Sequence, residues 1–123
     1  MTLKDTFFKV KSACPTTRGT DYTLVLEPNH FIYQAHFPGN PVTPGVYIIQ
    51  IIKELSIEML QHNLFLKKIH NVKFLNVINP RENKEVVFSI SICSEGDDIH
   101  KINALVYNDN QLFAKLSMLF ITQ

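Results

Sequence analysis

The residue best suited to chemistry in this sequence is His36, which begins the segment HFPGNPVTPGV at residues 36–46. Histidine is the usual general base of enzymes, because its ordinary pKa lies close to neutral pH. Residues 27–44, which contain it, hold four of the six prolines of the chain. Such a stretch predicts a loop of fixed shape, and loops of this kind often carry function. We therefore predict that His36 acts as a base on a rigid loop.

The loop leads directly into a helix predicted for residues 45 to about 62. Thr43 is expected to be its N-cap, with Pro44 at the first helical position. The first backbone N–H groups, on Gly45 and Val46, would point outward with the positive end of the helix dipole, where they polarise a carbonyl oxygen. Gly45 also lets a ligand approach the backbone closely. A base beside such donors suits proton abstraction next to a thioester carbonyl.

The predicted helix is apolar on nearly every side, which is typical of a helix wrapped by the rest of the protein. Its exception is a narrow polar stripe formed by Gln50, Lys53 and Glu54, whose spacing places them on one face. These three residues are either part of a site or the solvent-facing stripe of an ordinary helix. The sequence pattern alone leaves both interpretations open.

Around the helix the pattern predicts strands, two before it and four after it. Turn residues separate the last four, so we expect them to form an antiparallel meander. The predicted fold class is α+β, with an antiparallel sheet curled around one long central helix in a single domain over residues 1–123. The phenylalanines at positions 74, 88, 113 and 120 are expected to lie mostly in the core, and the sequence leaves open which of them line a tunnel. The predicted strands cover residues 7–14, 21–26, 69–78, 85–93, 99–107 and 111–121.

Composition excludes several classes of function. Twelve basic and eleven acidic residues give a net charge of +1, which does not favour binding to nucleic acid or to a membrane surface. The longest apolar run, residues 46–52, is far shorter than the roughly 20 residues of a membrane span, so a cytoplasmic location is expected. Cys14 and Cys93 have no metal-ligand spacing and are expected to be reduced, buried thiols.

Residues 36–46 resemble the signature H-F-P-G-x-P-x-x-P-G-V of the 3-hydroxyacyl-acyl-carrier-protein dehydratases at every specified position. The resemblance covers about residues 20 to 121, and residues 72–74 with 77–80 resemble the strand after the helix, where the family usually has K-x-F…V-x-P. It implies a hotdog fold that forms a homodimer or a higher oligomer of dimers. It also implies a substrate carried on the phosphopantetheine of an acyl carrier protein, with no metal or organic cofactor.

The resemblance also implies roles for individual residues. His36 would be the catalytic base, and the Gly45 and Val46 amides would bind the thioester oxygen. The loop residues expected to bind substrate beside them are Phe37, Pro38 and Gly39. The family has a carboxylate on the central helix of the other subunit, five residues after the last glycine of the signature. Here that position is Gln50, and a carboxylate, Glu54, follows one turn later.

Three functions remain open at this point. The first is dehydration of a 3-hydroxyacyl thioester to a trans-2-enoyl thioester, with Glu54 as the acid and Gln50 orienting the hydroxyl. The second is an acyl thioesterase, in which Gln50 and His36 position a hydrolytic water. The third is a non-catalytic subunit that binds acyl carrier protein or acyl chains, or the inactive half of a hetero-oligomer. Chain length, stereochemistry and pathway are not predicted.

Other polar residues have weaker predicted roles. The four remaining histidines, at positions 30, 62, 70 and 100, are expected to be structural or on the surface. Five basic residues could dock an acidic carrier protein, although scattered lysines are more often plain solvated surface. They are Lys67, Lys68, Lys73, Arg81 and Lys84.

Overall fold

A six-stranded antiparallel sheet curls around one long helix. The computed structural model describes residues 2–123, and within this part of the chain no helix is long and apolar enough to cross a membrane. This sheet with its helix confirms the predicted α+β class. Its elements are β1 Phe8–Pro15, β2 Gly19–Leu26, α1 Ile32–Ala35, α2 Gly45–Leu60, β3 Leu64–Phe74, β4 Glu85–Glu95, β5 Ile99–Tyr107 and β6 Leu112–Thr122.

The order of the strands in the sheet is β1-β2-β4-β5-β6-β3. The expected meander of the last four strands is therefore correct only for β4, β5 and β6. Strand β3 does not pair with β4; it pairs with β6, and Val72 lies opposite Leu116. Residues 75–84 carry the chain from β3 at one edge of the sheet to β4 in its middle, so this connection is too long for a hairpin. Strand β3 is consequently an edge strand.

Strand β3 begins and ends earlier than predicted: residues 69–78 were expected, and Leu64–Phe74 is observed. Two consecutive lysines at positions 67 and 68 interrupt the alternation of apolar and polar residues at the start of this strand. At its end the ladder stops, since the N–H groups of Leu75 and Asn76 both donate to the carbonyl of Phe113. Residues 75–78 therefore belong to the connection that follows.

Helix α2 lies against the inner face of the sheet and buries Ile48, Ile51, Ile52, Leu55 and Ser56. Its inner side meets the alternate strand residues that face inward, such as Phe88, Ile102 and Met118 of the hydrophobic core. This burial of apolar surface is the main force that holds the helix in the sheet.

The start of α2 differs from the prediction in one respect. Pro44 occupies the N-cap position with an extended backbone, and no side chain caps the helix. Thr43 was expected to be that cap. Its hydroxyl instead forms a hydrogen bond of 2.8 Å with the hydroxyl of Tyr33, a partner that only the folded chain brings near.

The expected burial of the two cysteines is wrong. Cys14 and Cys93 are both exposed, because each points to the outer face of the sheet, away from α2. Phe74 is 52% exposed, although Phe88, Phe113 and Phe120 are buried as expected. Phe74 ends an edge strand, so no neighbouring strand covers its outer side.

Candidate functional site

The loop between β2 and α2 is held by its own backbone hydrogen bonds. The single turn of α1 closes with a bond from the N–H of His36 to the carbonyl of Ile32, at 2.9 Å. The N–H of Val42 then donates to the carbonyl of His36, at 2.7 Å. The backbone of His36 is thus bonded on both sides, so the loop has the defined shape that its prolines predicted.

Between these bonds residues 37–40 form a tight turn that projects into solvent. Phe37 and Asn40 exchange backbone hydrogen bonds of 3.0 and 2.9 Å. Gly39 has φ of 75°, a left-handed conformation that glycine adopts without strain. The peptide bond between His36 and Phe37 is cis. His36, Phe37, Pro38 and Gly39 are all exposed, so this tip is open to a ligand.

The stem of the loop is buried. Tyr33 is 3% exposed, and its ring stacks on Phe7 with ring centroids 5.3 Å apart. Its hydroxyl bonds to Thr43, whose N–H donates to the carbonyl of Ile78 at 2.9 Å. Burial raises the pKa of Tyr33 to about 12, against the opposing effect of the hydrogen bond from Thr43. This buried pair connects the start of the loop to its end.

The first N–H groups of α2 lie beside an open cleft. The N–H of Tyr47 is the first in the helix to bond within it, donating to the carbonyl of Pro44 at 3.0 Å. The amides of Gly45 and Val46 precede it, where a helix offers donors to a ligand. A cleft of about 340 Å³ adjoins them, lined by Gly45, Thr43, Ile48, Phe74 and Val77 among others.

Phe74 lines this cleft, and the sequence did not indicate which of the phenylalanines would lie outside the core. A Cβ placed on Gly45 would stand 2.7 Å from Cζ of Phe74, so the ring lies directly against the glycine. Phe74 and Val77 are 52% and 60% exposed, and together they give the cleft an apolar wall. The likeness of residues 72–74 to the family's strand after the helix was the signal that could have indicated this position, since Phe74 is the last residue of β3.

The second group of predicted site residues lies on the polar face of α2. The Nε2 of Gln50 donates to Oε2 of Glu54 at 3.0 Å. The same carboxylate accepts from the backbone N–H of Leu3, at 3.0 Å to Oε1 and 2.8 Å to Oε2. The N–H of Lys4 donates to Oε1 at 2.9 Å. Both oxygens of Glu54 are therefore engaged by donors of the same chain.

Of the predicted site residues, the structure brings Gln50 and Glu54 into contact, with a hydrogen bond between their side chains. His36 lies at the exposed loop tip with Phe37, Pro38 and Gly39, and Gly45 and Val46 begin α2. Among residues 2–123, no hydrogen bond joins His36 to Glu54.

The other histidines that have contacts in the structure play structural parts. His100 is 3% exposed and shares hydrogen bonds with Ser94 and Thr122, at 2.7 and 2.9 Å. The ring of His30 packs on Phe7 and its Nδ1 accepts from the N–H of Ile32. Burial lowers the pKa of His30. In the described part of the chain, no group of three metal-ligating side chains is present.

Comparison with known proteins identifies the family. The family model described as ApeI-like, ApeI dehydratase, matches residues 13–110. This chain belongs to the ApeI-like dehydratase family. The match spans the loop, α2 and the strands from β2 to β5, which are the elements that build the candidate site. The resemblance expected from residues 36–46 is confirmed.

Curated relatives of this ApeI-like chain carry the name 3-hydroxyacyl-[acyl-carrier-protein] dehydratase FabZ. The protein of Oenococcus oeni is 28% identical over 100 residues, covering 76% of this chain and 70% of its own length. The protein of Caldicellulosiruptor saccharolyticus is 28% identical over 110 residues, covering 84% and 75%. The chain is therefore similar to dehydratases of this type over most of its length.

Solved structures confirm the hotdog fold of this ApeI-like protein. The dehydratase heterocomplex ApeI:P from Xenorhabdus doucetiae matches with a TM-score of 0.73 and 18% identity, covering 92% of this chain and 96% of that one. A hypothetical thioesterase with coenzyme A from Streptococcus pneumoniae TIGR4 matches with a TM-score of 0.64 and 6% identity, covering 94% and 85%. These likenesses concern the fold, which dehydratases and thioesterases share.

Proposed function

We propose that this ApeI-like protein removes water from a 3-hydroxyacyl thioester carried by an acyl carrier protein, giving the trans-2-enoyl thioester. The observation that carries the proposal is the exposed His36 on a braced loop, nine residues before the amides that open α2. The family match and the FabZ relatives support the same reaction.

In the proposed reaction, the imidazole of His36 takes the proton from C2 of the substrate. The electron pair of that bond forms the C2–C3 double bond, and the C3–oxygen bond breaks. The imidazolium then gives the same proton to the departing oxygen, which leaves as water. Protons balance and the imidazole returns to its neutral form, so the scheme needs no metal or organic cofactor.

The amides of Gly45 and Val46 would stabilise this reaction by donating to the thioester oxygen. Negative charge grows on that oxygen as C2 loses its proton, and donors fixed at a helix N-terminus are already oriented toward it. The apolar wall of Phe74 and Val77 would hold the first carbons of the acyl chain. The tip residues Phe37, Pro38 and Gly39 would border the site on the other side of His36.

Gln50 would orient the 3-hydroxyl group, because an amide does not transfer protons as a carboxylic acid does. The scheme returns the proton through His36 and sends none through Glu54. The prediction that Glu54 donates the proton stays untested. Both of its oxygens face donors of its own chain, which favours a different part for this residue.

We further propose that two copies pair along β3, so that His36 of one copy meets Gln50 of the other. An edge strand with unpaired backbone groups readily joins a second strand. Strand β3 carries Phe65, Ile69 and Phe74, which are 54%, 45% and 52% exposed. A second β3 antiparallel to the first would cover part of this apolar surface. Dimers built in this way could assemble further.

The outer face of the sheet is the surface we propose for an acidic carrier protein. Lys73 on β3 lies directly opposite Lys115 on β6, and like charges so placed repel each other. Lys68 and Lys101 both lie opposite Leu119 on the same face. An acidic partner would relieve this repulsion. Arg81, by contrast, lines a separate cleft beside Phe37.

The test of the proposed function is incubation with short and medium 3-hydroxyacyl carrier substrates, followed by intact-mass measurement of the carrier. We expect loss of one water from the carrier with the native chain and no loss with His36→Ala. Absence of water loss at every chain length would contradict the proposal.

For the carrier surface, Lys73→Glu with Lys115→Glu should raise KM for carrier-bound substrate and leave KM for the pantetheine thioester unchanged.

A second candidate is a non-catalytic subunit that binds acyl carrier protein within a hetero-oligomer. What supports it is Gln50, at the position where the family resemblance implies a carboxylate. Saturable binding of the acylated carrier without water loss would support it, and water loss restored only by adding a catalytic relative would make it the better description. Release of free acid instead would support the thioesterase.

A further inference from the structure

The hydrogen bond between Glu54 and Gln50 defines which end of the Gln50 amide faces along the helix. An ionised carboxylate has acceptors but no donor, so the group that faces it must be the NH₂ of the amide. The carbonyl oxygen of Gln50 is bonded to the same carbon as that nitrogen, and it therefore points away from Glu54. The hydrogen bond to Glu54 thus contributes to the orientation of the amide.

We infer that Glu54 is a positioning residue, which holds the Gln50 amide so that its carbonyl oxygen receives the hydrogen bond of the substrate 3-hydroxyl. This inference rests on the proposed function. A hydroxyl that donates to Gln50 keeps its lone pairs directed elsewhere, where the His36 imidazolium of the other copy can protonate one of them. The reversed amide would offer the substrate a donor, which competes with that protonation.

The surroundings of Glu54 give it the rigidity that such a part requires. Its carboxylate accepts from the backbone N–H groups of Leu3 and Lys4, which are 51 and 50 residues away in sequence. Leu3 is 3% exposed and Phe7 is fully buried, so this segment is packed against the protein and does not move with the carboxylate. A carboxylate bonded to fixed backbone donors is a fixed acceptor for Gln50.

The same segment supplies a matched control one turn further along α2. Glu58 forms an ion pair with Nζ of Lys4, so it also binds the segment at residues 2–7. The carboxylate of Glu58 bonds to Lys4, and its backbone carbonyl accepts from the side chain of Gln61. The carboxylate of Glu54, by contrast, accepts from Gln50. Glu58→Gln therefore affects only the attachment of the segment, whereas Glu54→Gln affects both that attachment and the orientation of the Gln50 amide. A comparison of the two variants distinguishes these effects.

The first experiment measures steady-state water loss by Glu54→Gln and Glu58→Gln. Misplacement of a substrate-orienting group by about 1 Å can cost on the order of 10²-fold in rate. We expect Glu54→Gln to lower kcat by about 10- to 100-fold with KM nearly unchanged, and Glu58→Gln to leave both constants as they are. An equal fall of kcat in the two variants would assign the effect to the segment and overturn the inference.

The second experiment does not depend on activity. The side-chain amide of Gln50 gives a pair of ¹H–¹⁵N resonances, which the loss of peaks in Gln50→Ala identifies. We expect these resonances to shift in Glu54→Gln and to stay in place in Glu58→Gln. Unmoved resonances in Glu54→Gln would overturn the inference, and so would shifted resonances with unchanged kcat. If the native chain loses no water at all, the proposed function fails, while the resonances still report whether Glu54 holds the amide.

Discussion

The loop between β2 and α2 has a tip and a stem that differ in almost every physical respect. At the tip, His36 is exposed and Phe37 is 53% exposed. In the stem, Tyr33 and Thr43 are 3% and 6% exposed and are bonded to each other. The tip can therefore meet a substrate because the stem contributes the packing that gives it a fixed shape. Substitutions at the tip should therefore change activity, and substitutions in the stem should change stability.

The largest expected effect is on the tip. His36→Ala should lower the rate of water loss by about 10²- to 10⁴-fold, the usual contribution of a general base. The free energy of unfolding should change by no more than about 0.5 kcal/mol, since the side chain is exposed. Kinetics and urea unfolding check both values. His62→Ala, which removes another exposed histidine, should change neither; a large loss of stability in His36→Ala would contradict the separation.

The stem should show the opposite result. Tyr33→Phe removes the hydroxyl that bonds to Thr43, and a buried hydrogen bond lost in this way costs about 1 to 2 kcal/mol. We expect that decrease in the free energy of unfolding, measured in urea, with kcat per folded molecule close to the native value. A variant of full stability but low kcat would mean that the stem acts in the reaction itself.

The same residue predicts a dependence of stability on alkaline pH. The pKa of Tyr33 is raised from its ordinary value of 10.0 to about 12, so the unfolded chain loses this proton at lower pH than the folded one. Its contribution is fully present below pH 10 and is lost as pH rises toward 12. Two pKa units correspond to about 2 to 3 kcal/mol. The difference in free energy of unfolding between the native chain and Tyr33→Phe should therefore shrink from pH 10 to pH 12. A difference that stays constant over this range would contradict the prediction.

A smaller effect is expected where the loop enters α2. In Gly45→Ala the new Cβ meets the end of the Phe74 ring, which has to turn away and reshape the cleft. We expect KM for longer acyl chains to rise several-fold, about 1 kcal/mol of binding, with little change in stability. Measurement of KM over a series of chain lengths checks this. Adding Phe74→Leu should restore KM, because the smaller side chain leaves room for the methyl group.

The smallest effect is expected at the two cysteines. Cys14 and Cys93 are exposed and lie on β1 and β4, outside the loop and α2. Both thiols of the native protein should react with a thiol reagent before unfolding, and the modified protein should keep its rate of water loss. Two thiols that react only in denaturant would restore the original expectation that they are buried.

Much of the fold and of the site was predicted from local sequence. The bounds of β5, residues 99–107, agree with the structure, and α2 begins at Gly45 as predicted. The spacing of prolines around His36 indicated a shaped loop, and the structure has one. These features follow from preferences of the backbone within a few residues, such as the fixed φ of proline and the alternation of a half-buried strand.

What the tertiary structure decided concerns partners that are distant in sequence. The pairing of β3 with β6, the bond of Thr43 to Tyr33 and the ring of Phe74 against Gly45 all depend on which surfaces meet after folding. Glu54 is the clearest case, because its sequence position suggested an acid while its carboxylate binds the backbone at Leu3 and Lys4. Residue type and spacing determine which groups can do chemistry, but hydrogen-bond partners supplied by the fold determine which of them remain available for it.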